Sequence, residues 1–155
     1  MANIKPILTD NPLHTQILEL AGKIGEELNM PTFIVGGFVR DKLMNRTTSD
    51  IDIMVEEDGI QFAKRLAKEL KINKIVEYDK FGTALIPHEN VEIEVATARK
   101  ETYNPNSRKP EVINSSVSED LSRRDFTVNA IAASILPQSF GDLIDPFNGI
   151  QDMQK

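Results

Sequence analysis

The 155-residue sequence contains no cysteine and no tryptophan, and it has only two histidines and two tyrosines. Without cysteine there can be no disulfide and no thiolate metal site, and two histidines alone cannot build a zinc site of the usual kind. A reducing compartment is the matching expectation. No apolar run approaches the ~20 residues that cross a bilayer, and the opening Met1 to Asp10 lacks the apolar stretch of a secretory signal. The sequence therefore reads as cytoplasmic, with no membrane partner. Basic side chains are also short: 18 against 24 acidic ones leave a net charge of -6. That balance argues against broad, non-specific binding to a phosphate backbone, while leaving room for a local basic patch. What is present is a core: 40% of residues are apolar, and a folded chain of this length buries roughly 70% of the surface its unfolded form exposes. One folded domain is expected, with no internal repeat and no low-complexity segment.

From Leu13 to Leu28 the apolar residues Leu13, Ile17, Leu20, Ala21, Ile24 and Leu28 recur at three and four, which predicts an amphipathic helix ended by Met30-Pro31. Thr32 to Val35 reads as a short buried strand, followed at once by Gly36-Gly37 and a short helix over Phe38 to Met44. Asn45 to Ser49 is a polar loop. Asp50 to Val55 alternates with a period of two, predicting a strand, and Gly59 to Leu70 returns to helical spacing. Further strands are expected over Lys74 to Tyr78, Thr83 to Ile86 and Val91 to Thr97, with Pro87 to Asn90 as a turn. This order predicts an α/β (α+β) fold with a mixed sheet and helices on one side. Arg99 to Val117 shows no period and reads as a long, basic, mobile loop. Ser118 to Ser134 is helical in pattern with a break near Asp125, and Leu143 to Gly149 reads as a strand end into a turn.

Several residue groups could carry chemistry. Asp50 and Asp52 stand two apart on a strand, so both carboxylates project from one face, about 6 to 7 Å apart along the chain. Hard divalent cations suit such a pair, since Mg²⁺ takes one or two carboxylates and completes its shell with water and phosphate oxygens. Gly36-Gly37, between a buried strand and a short helix, lets backbone amides approach a phosphate, and Arg40 one turn later could add a bidentate contact. Glu92 and Glu94 repeat the spacing of two on a later strand, and one of them could complete a three-carboxylate site for two metals. Arg123, Arg124, Asp125 and Asn129 place two guanidiniums, a carboxylate and an amide within two helical turns, a set that could grip phosphates and hydrogen-bond a ribose. His14 and His88 are expected to be solvated, and so is the acidic run Glu56-Glu57-Asp58 at a helix start. Phe126 is expected in the core, and Tyr103 offers a ring on which a base could stack.

Five ordered segments then resemble one family. Val35-Gly36-Gly37-Phe38-Val39-Arg40-Asp41, Asp50-Ile51-Asp52, Glu94 to Arg99, Glu119 to Ala130 and Asp145-Pro146-Phe147-Asn148-Gly149 are similar to the class II CCA-adding enzymes and bacterial poly(A) polymerases. The resemblance spans about residues 33 to 150 and covers the catalytic head domain of the polymerase-β-like nucleotidyltransferase superfamily.

What the resemblance implies is template-independent addition of CMP and AMP, from CTP and ATP, to the 3' end of tRNA. In-line attack of a primer 3'-hydroxyl on the α-phosphate would be assisted by two Mg²⁺ ions. Asp50, Asp52 and Glu94 would be the catalytic metal ligands, Glu94 being preferred to Glu92 only through the resemblance. Gly36, Gly37, Arg40 and Asp41 would hold the triphosphate, and Arg123, Arg124, Asp125 and Asn129 the nucleotide and its ribose. The whole chain would be a head domain, with residues 1–31 as an N-terminal helical segment and 99–117 as the family's flexible loop. The neck, body and tail of the family, with the base-selecting motif and most of the tRNA contacts, would lie outside this chain. Poly(A) addition, and a nucleotide-binding head without turnover on its own, are the rival expectations.

Overall fold

A computed structural model of the chain describes residues 3–46, 50–78, 82–89, 91–103, 110–114, 116–122 and 130–153. Two helices come first, α1 (Lys5–Leu8) and α2 (Pro12–Glu27). The Asn11 side chain caps α2 by accepting the amides of Leu13 and His14, and Pro12 stands at a position where the missing donor is not needed. The helix ends in a Schellman arrangement: Asn29 takes φ 57°, its amide donates to the Glu26 carbonyl, and the Met30 amide donates to that of Gly25. Strand β1 (Thr32–Val35), helix α3 (Gly37–Leu43), strand β2 (Asp50–Val55) and helix α4 (Gly59–Glu69) follow. Then come β3 (Val76–Tyr78), β4 (Thr83–His88) and β5 (Val91–Thr97).

The main sheet has the order β3-β4-β5-β2-β1-β8-β9, where β8 is Ala132–Ser134 and β9 is Leu143–Ile144. Among the described strands only β2 and β5 run parallel, and α4 lies in the crossover that a parallel pair requires. Ile51, Ile53, Val55, Ile93 and Val95 face the larger core, where Ile17, Leu18 and Ala21 of α2 and Phe62 and Leu66 of α4 cover them. The opposite face holds a smaller cluster, with Phe33, Val35 and Met54 packed against Val117 and Leu121 of α5 (Val117–Ser122). Helices thus lie mainly on one face, as expected. A last short helix, α6 (Gly149–Met153), starts where Asp145 accepts the amides of Gly149 and Ile150. Among the described residues no helix is long and apolar enough to cross a membrane.

Four expectations are corrected. The segment read as an irregular loop forms two antiparallel strands, β6 (Arg99–Tyr103) and β7 (Pro110–Asn114). Among the described residues this ribbon pairs only with itself, and its sequence carries no alternation that would mark a strand. The end of the expected helix over Ser118 to Ser134 is strand β8, paired with β1 through Ile34↔Ala133. Alanine favours helices in isolation, but Ile131 to Ile135 is buried throughout and its backbone is satisfied by strand pairing. Strand β4 runs on through Pro87 and His88, because β3 stops pairing at Leu85 and leaves Pro87 where no donor is required. Finally, His14 is buried at 5% exposure and His88 is half-buried.

Candidate active site

The turn after β1 is set by Gly36. Its φ of 67° and ψ of -135° mirror an ordinary extended residue and are closed to a side chain bearing a Cβ. The Gly36 amide donates to the Ile131 carbonyl at 3.2 Å, and the Gly36 carbonyl accepts the Arg40 amide at 3.0 Å. The turn is therefore tied both to the segment entering β8 and to the first turn of α3. A Cβ built on Gly37 would stand 3.3 Å from Arg40 Nη2, so the guanidinium folds back over the turn. Asp41 bonds it there, with Oδ1 3.2 Å from Arg40 Nε.

Beside that turn, β2 and β5 bring four carboxylates to the face that α2 and α4 do not cover. The parallel register sets Asp50 against Glu92 and Asp52 against Glu94. Like charges directly opposite across a ladder repel one another, so this face favours a cation. A cavity of about 350 Å³ opens between the two features, its lining including Gly36, Gly37, Asp52, Met54, Glu94 and Ala96, with Val35 beside the turn. Its size suits a small ligand.

Of the residues expected at the site, the fold brings Gly36, Gly37, Asp52 and Glu94 to one cavity, with Arg40 and Asp41 folded against Gly37. Asp50 lies two residues farther out on the same face and is exposed. Arg123, Arg124, Asp125, Asn129 and the expected core residue Phe126 lie outside the described residues. Val35 and Ala96 entered the sequence reading only within the segments that carry the resemblance and Met54 not as a site residue, yet all three share the face of Asp52 and Glu94, and the period of two was the signal that could have found them. Glu56 was read as solvated; its Oε1 instead accepts the Val117 amide at 2.9 Å, tying the end of β2 to the start of α5. Asp58 behaves as expected and caps α4.

For a metal, the donor set is all carboxylate oxygen, which suits a hard divalent cation. Among the described residues no three acidic or imidazole groups converge tightly enough to hold an ion by themselves. Mg²⁺ does not need three, because it keeps water and ligand phosphates in its shell.

Known proteins with the same sequence pattern bear on this site. An A-adding tRNA nucleotidyltransferase of Geobacter sulfurreducens is 42% identical over 135 residues, covering 86% of this chain and 15% of its own length. Another, from Halalkalibacterium halodurans, is 36% identical over 141 residues, covering 90% of this chain and 33% of its own length. A solved apo structure of a CCA-adding enzyme superposes with a TM-score of 0.88 at 40% identity, over 99% of this chain and 37% of the other. Complexes of a CCA-adding enzyme with ATP and with CTP each give a TM-score of 0.83 at 38% identity, over 99% of this chain and 35% of the other. The chain thus spans between about a seventh and two fifths of the proteins it matches. The Poly A polymerase head domain family matches residues 32–155, which is most of the sequence and includes the glycine turn and both carboxylate pairs, and the chain belongs to that family.

Proposed function

We propose that this chain is the nucleotide-binding catalytic head of an RNA nucleotidyltransferase, one that transfers a nucleoside monophosphate from ATP or CTP to the 3' end of tRNA in the cytoplasm. The observation that carries the reading is the cavity in which the Gly36–Gly37 turn faces the Asp52–Glu94 pair. The turn lets a phosphate approach main-chain amides, and Arg40 beside it supplies a planar donor for phosphate oxygens. Asp50, Asp52 and Glu94 would hold Mg²⁺, two ions in the full reading. When bound, the metal neutralises charge on the triphosphate and lowers the pKa of an attacking hydroxyl. The chain's own part is placement: amides and Arg40 hold the triphosphate, while the carboxylates fix where the 3'-hydroxyl meets the α-phosphate in line with departing pyrophosphate. Arg123, Arg124, Asp125 and Asn129 are assigned to the nucleotide and ribose by family resemblance alone.

Addition of A alone is a second reading, favoured by the two relatives of that name at 42% and 36% identity. The test is incorporation of labelled CMP and AMP into tRNA lacking CCA and into tRNA ending in CC. It is run with this chain and with a form extended by the regions its relatives carry beyond the head. Completion of CCA supports the first reading, and A added only after CC supports the second. Long A-tails would mark a poly(A) polymerase, and nucleotide binding without transfer by either form would leave a binding module. Asp52→Ala in the extended form should lower transfer by at least ~10³-fold with the fold intact; a near-normal rate would overturn the site assignment.

A further inference from the structure

On the side of α3 away from the cavity lies a charged group that the chemistry above does not use. Lys42 is only 8% exposed, and its Nζ stands 2.5 Å from Asp10 Oδ1 in the segment between α1 and α2. The same ammonium lies 5.3 Å over the Phe38 ring. His14, from the first turn of α2, meets that ring edge-on at 5.3 Å and 67°. An ammonium is kept this deep only where a partner and a ring offset its lost hydration.

The position of this group matters because α3 has seven residues, well below the ~12 at which a helix is even marginally stable alone. Its place must come from contacts. Phe38 and Lys42 are four apart and share one face, whereas Arg40 points about 200° round from each. One face of α3 is therefore clamped to the α1–α2 segment while the other presents Arg40, folded against Gly37 at the cavity.

We propose that the Asp10–Lys42 pair, with Phe38 and His14 packed beside it, is a positioning clamp that sets α3, and with it Arg40, for the triphosphate. The proposal rests on the nucleotide reading of the cavity. Asp10 and Lys42 act through Arg40 and touch no substrate.

The test is equilibrium binding of ATP and of AMP to this chain with Mg²⁺, alongside thermal unfolding of each variant. Asp10→Asn and Lys42→Met should each weaken ATP binding about tenfold, while AMP, which lacks the β- and γ-phosphates, changes by about twofold or less. In an Arg40→Ala background the Asp10→Asn effect on ATP should largely vanish. A lowered unfolding temperature with ATP affinity unchanged would overturn the clamp. So would equal losses for ATP and AMP, or an Asp10→Asn effect that persists without Arg40. Should Asp10→Asn fail to fold, Lys42→Met carries the test, since it removes the buried charge and keeps the stem over Phe38. Failure of the unmodified and extended forms to bind ATP at all would instead overturn the cavity reading, and the clamp with it.

Discussion

Gly36 takes φ 67° and ψ -135°, so a single methyl group there forces the turn into another conformation. Gly36→Ala should cost about 1 to 3 kcal/mol of stability, read as a lower urea midpoint, and should weaken ATP binding at the same time. Unchanged values of both would show that the turn is not held by its glycine. His14 makes a different kind of prediction. Burial, and after it the charge of Lys42, push its pKa below the usual 6.5, with Asp10 pulling weakly the other way. The Nδ1 atom is buried and without a hydrogen-bond partner, which suits the neutral ring. Because the folded pKa lies below the unfolded one, the unfolded chain takes up the proton first as pH falls. The stability contributed by neutral His14 is therefore complete above about pH 6.5 and is lost as pH drops below it. The unfolding temperature should fall more between pH 7.5 and pH 5.5 in the unmodified chain than in His14→Phe, and equal falls would show that His14 does not set this dependence.

Three helices end in the same way, each with a non-glycine residue at positive φ: Asn29 after α2, Asn45 after α3 and Lys71 after α4. Lysine has neither the freedom of glycine nor the local hydrogen bonding of asparagine there, so Lys71→Gly should raise stability by about 0.5 to 1 kcal/mol, measured by urea unfolding. A loss of stability would mean that the Lys71 side chain matters more than its backbone. Thr97 at the end of β5 ties α4 to the turn before β4: its hydroxyl accepts the Gly59 amide at 2.9 Å and donates to the Gly82 carbonyl at 2.8 Å. Thr97→Val keeps the shape and strands the Gly59 amide, which should cost about 1 to 3 kcal/mol. Elements of this kind were legible wherever one face is apolar and the other wet, as in α2, α4, β2 and β5. Two-sided burial was legible in β1, whose residues are branched or aromatic, but not in β8, where alanine favours a helix in isolation, nor was the locally paired ribbon of β6 and β7. His14 was misread because a polar residue near a helix start looks solvated until Phe38 and Lys42 arrive from another element.

At the scale of the whole molecule the site is the meeting of a turn and two strands that lie far apart in sequence, Gly36–Gly37, Asp52 and Glu94. The carboxylates could be seen at their spacing of two, but the pairing of Asp52 with Glu94 and of Asp50 with Glu92 follows from a parallel register that no local pattern fixes. The same view bears on which base the chain would accept. Telling cytosine from adenine requires donors and acceptors set against a base edge. Among the described residues, the side chains lining the cavity are aliphatic, absent or carboxylate, and none of them is a donor. With a net charge of -6, the molecule also lacks the general electrostatic attraction that holds nucleic acid at physiological salt. The glycine turn, Arg40 and the carboxylates address the triphosphate that ATP and CTP share, so this chain should bind the two with affinities within about threefold of each other, a difference of less than ~0.7 kcal/mol. It should not retain tRNA measurably at about 0.15 M salt, the ionic strength at which exposed charges are screened beyond ~8 Å. Calorimetric titration with each nucleotide and filter binding with tRNA would read both. A tenfold or larger preference for one nucleotide would place base selection inside the head, and tight tRNA binding would place the primer contacts there too.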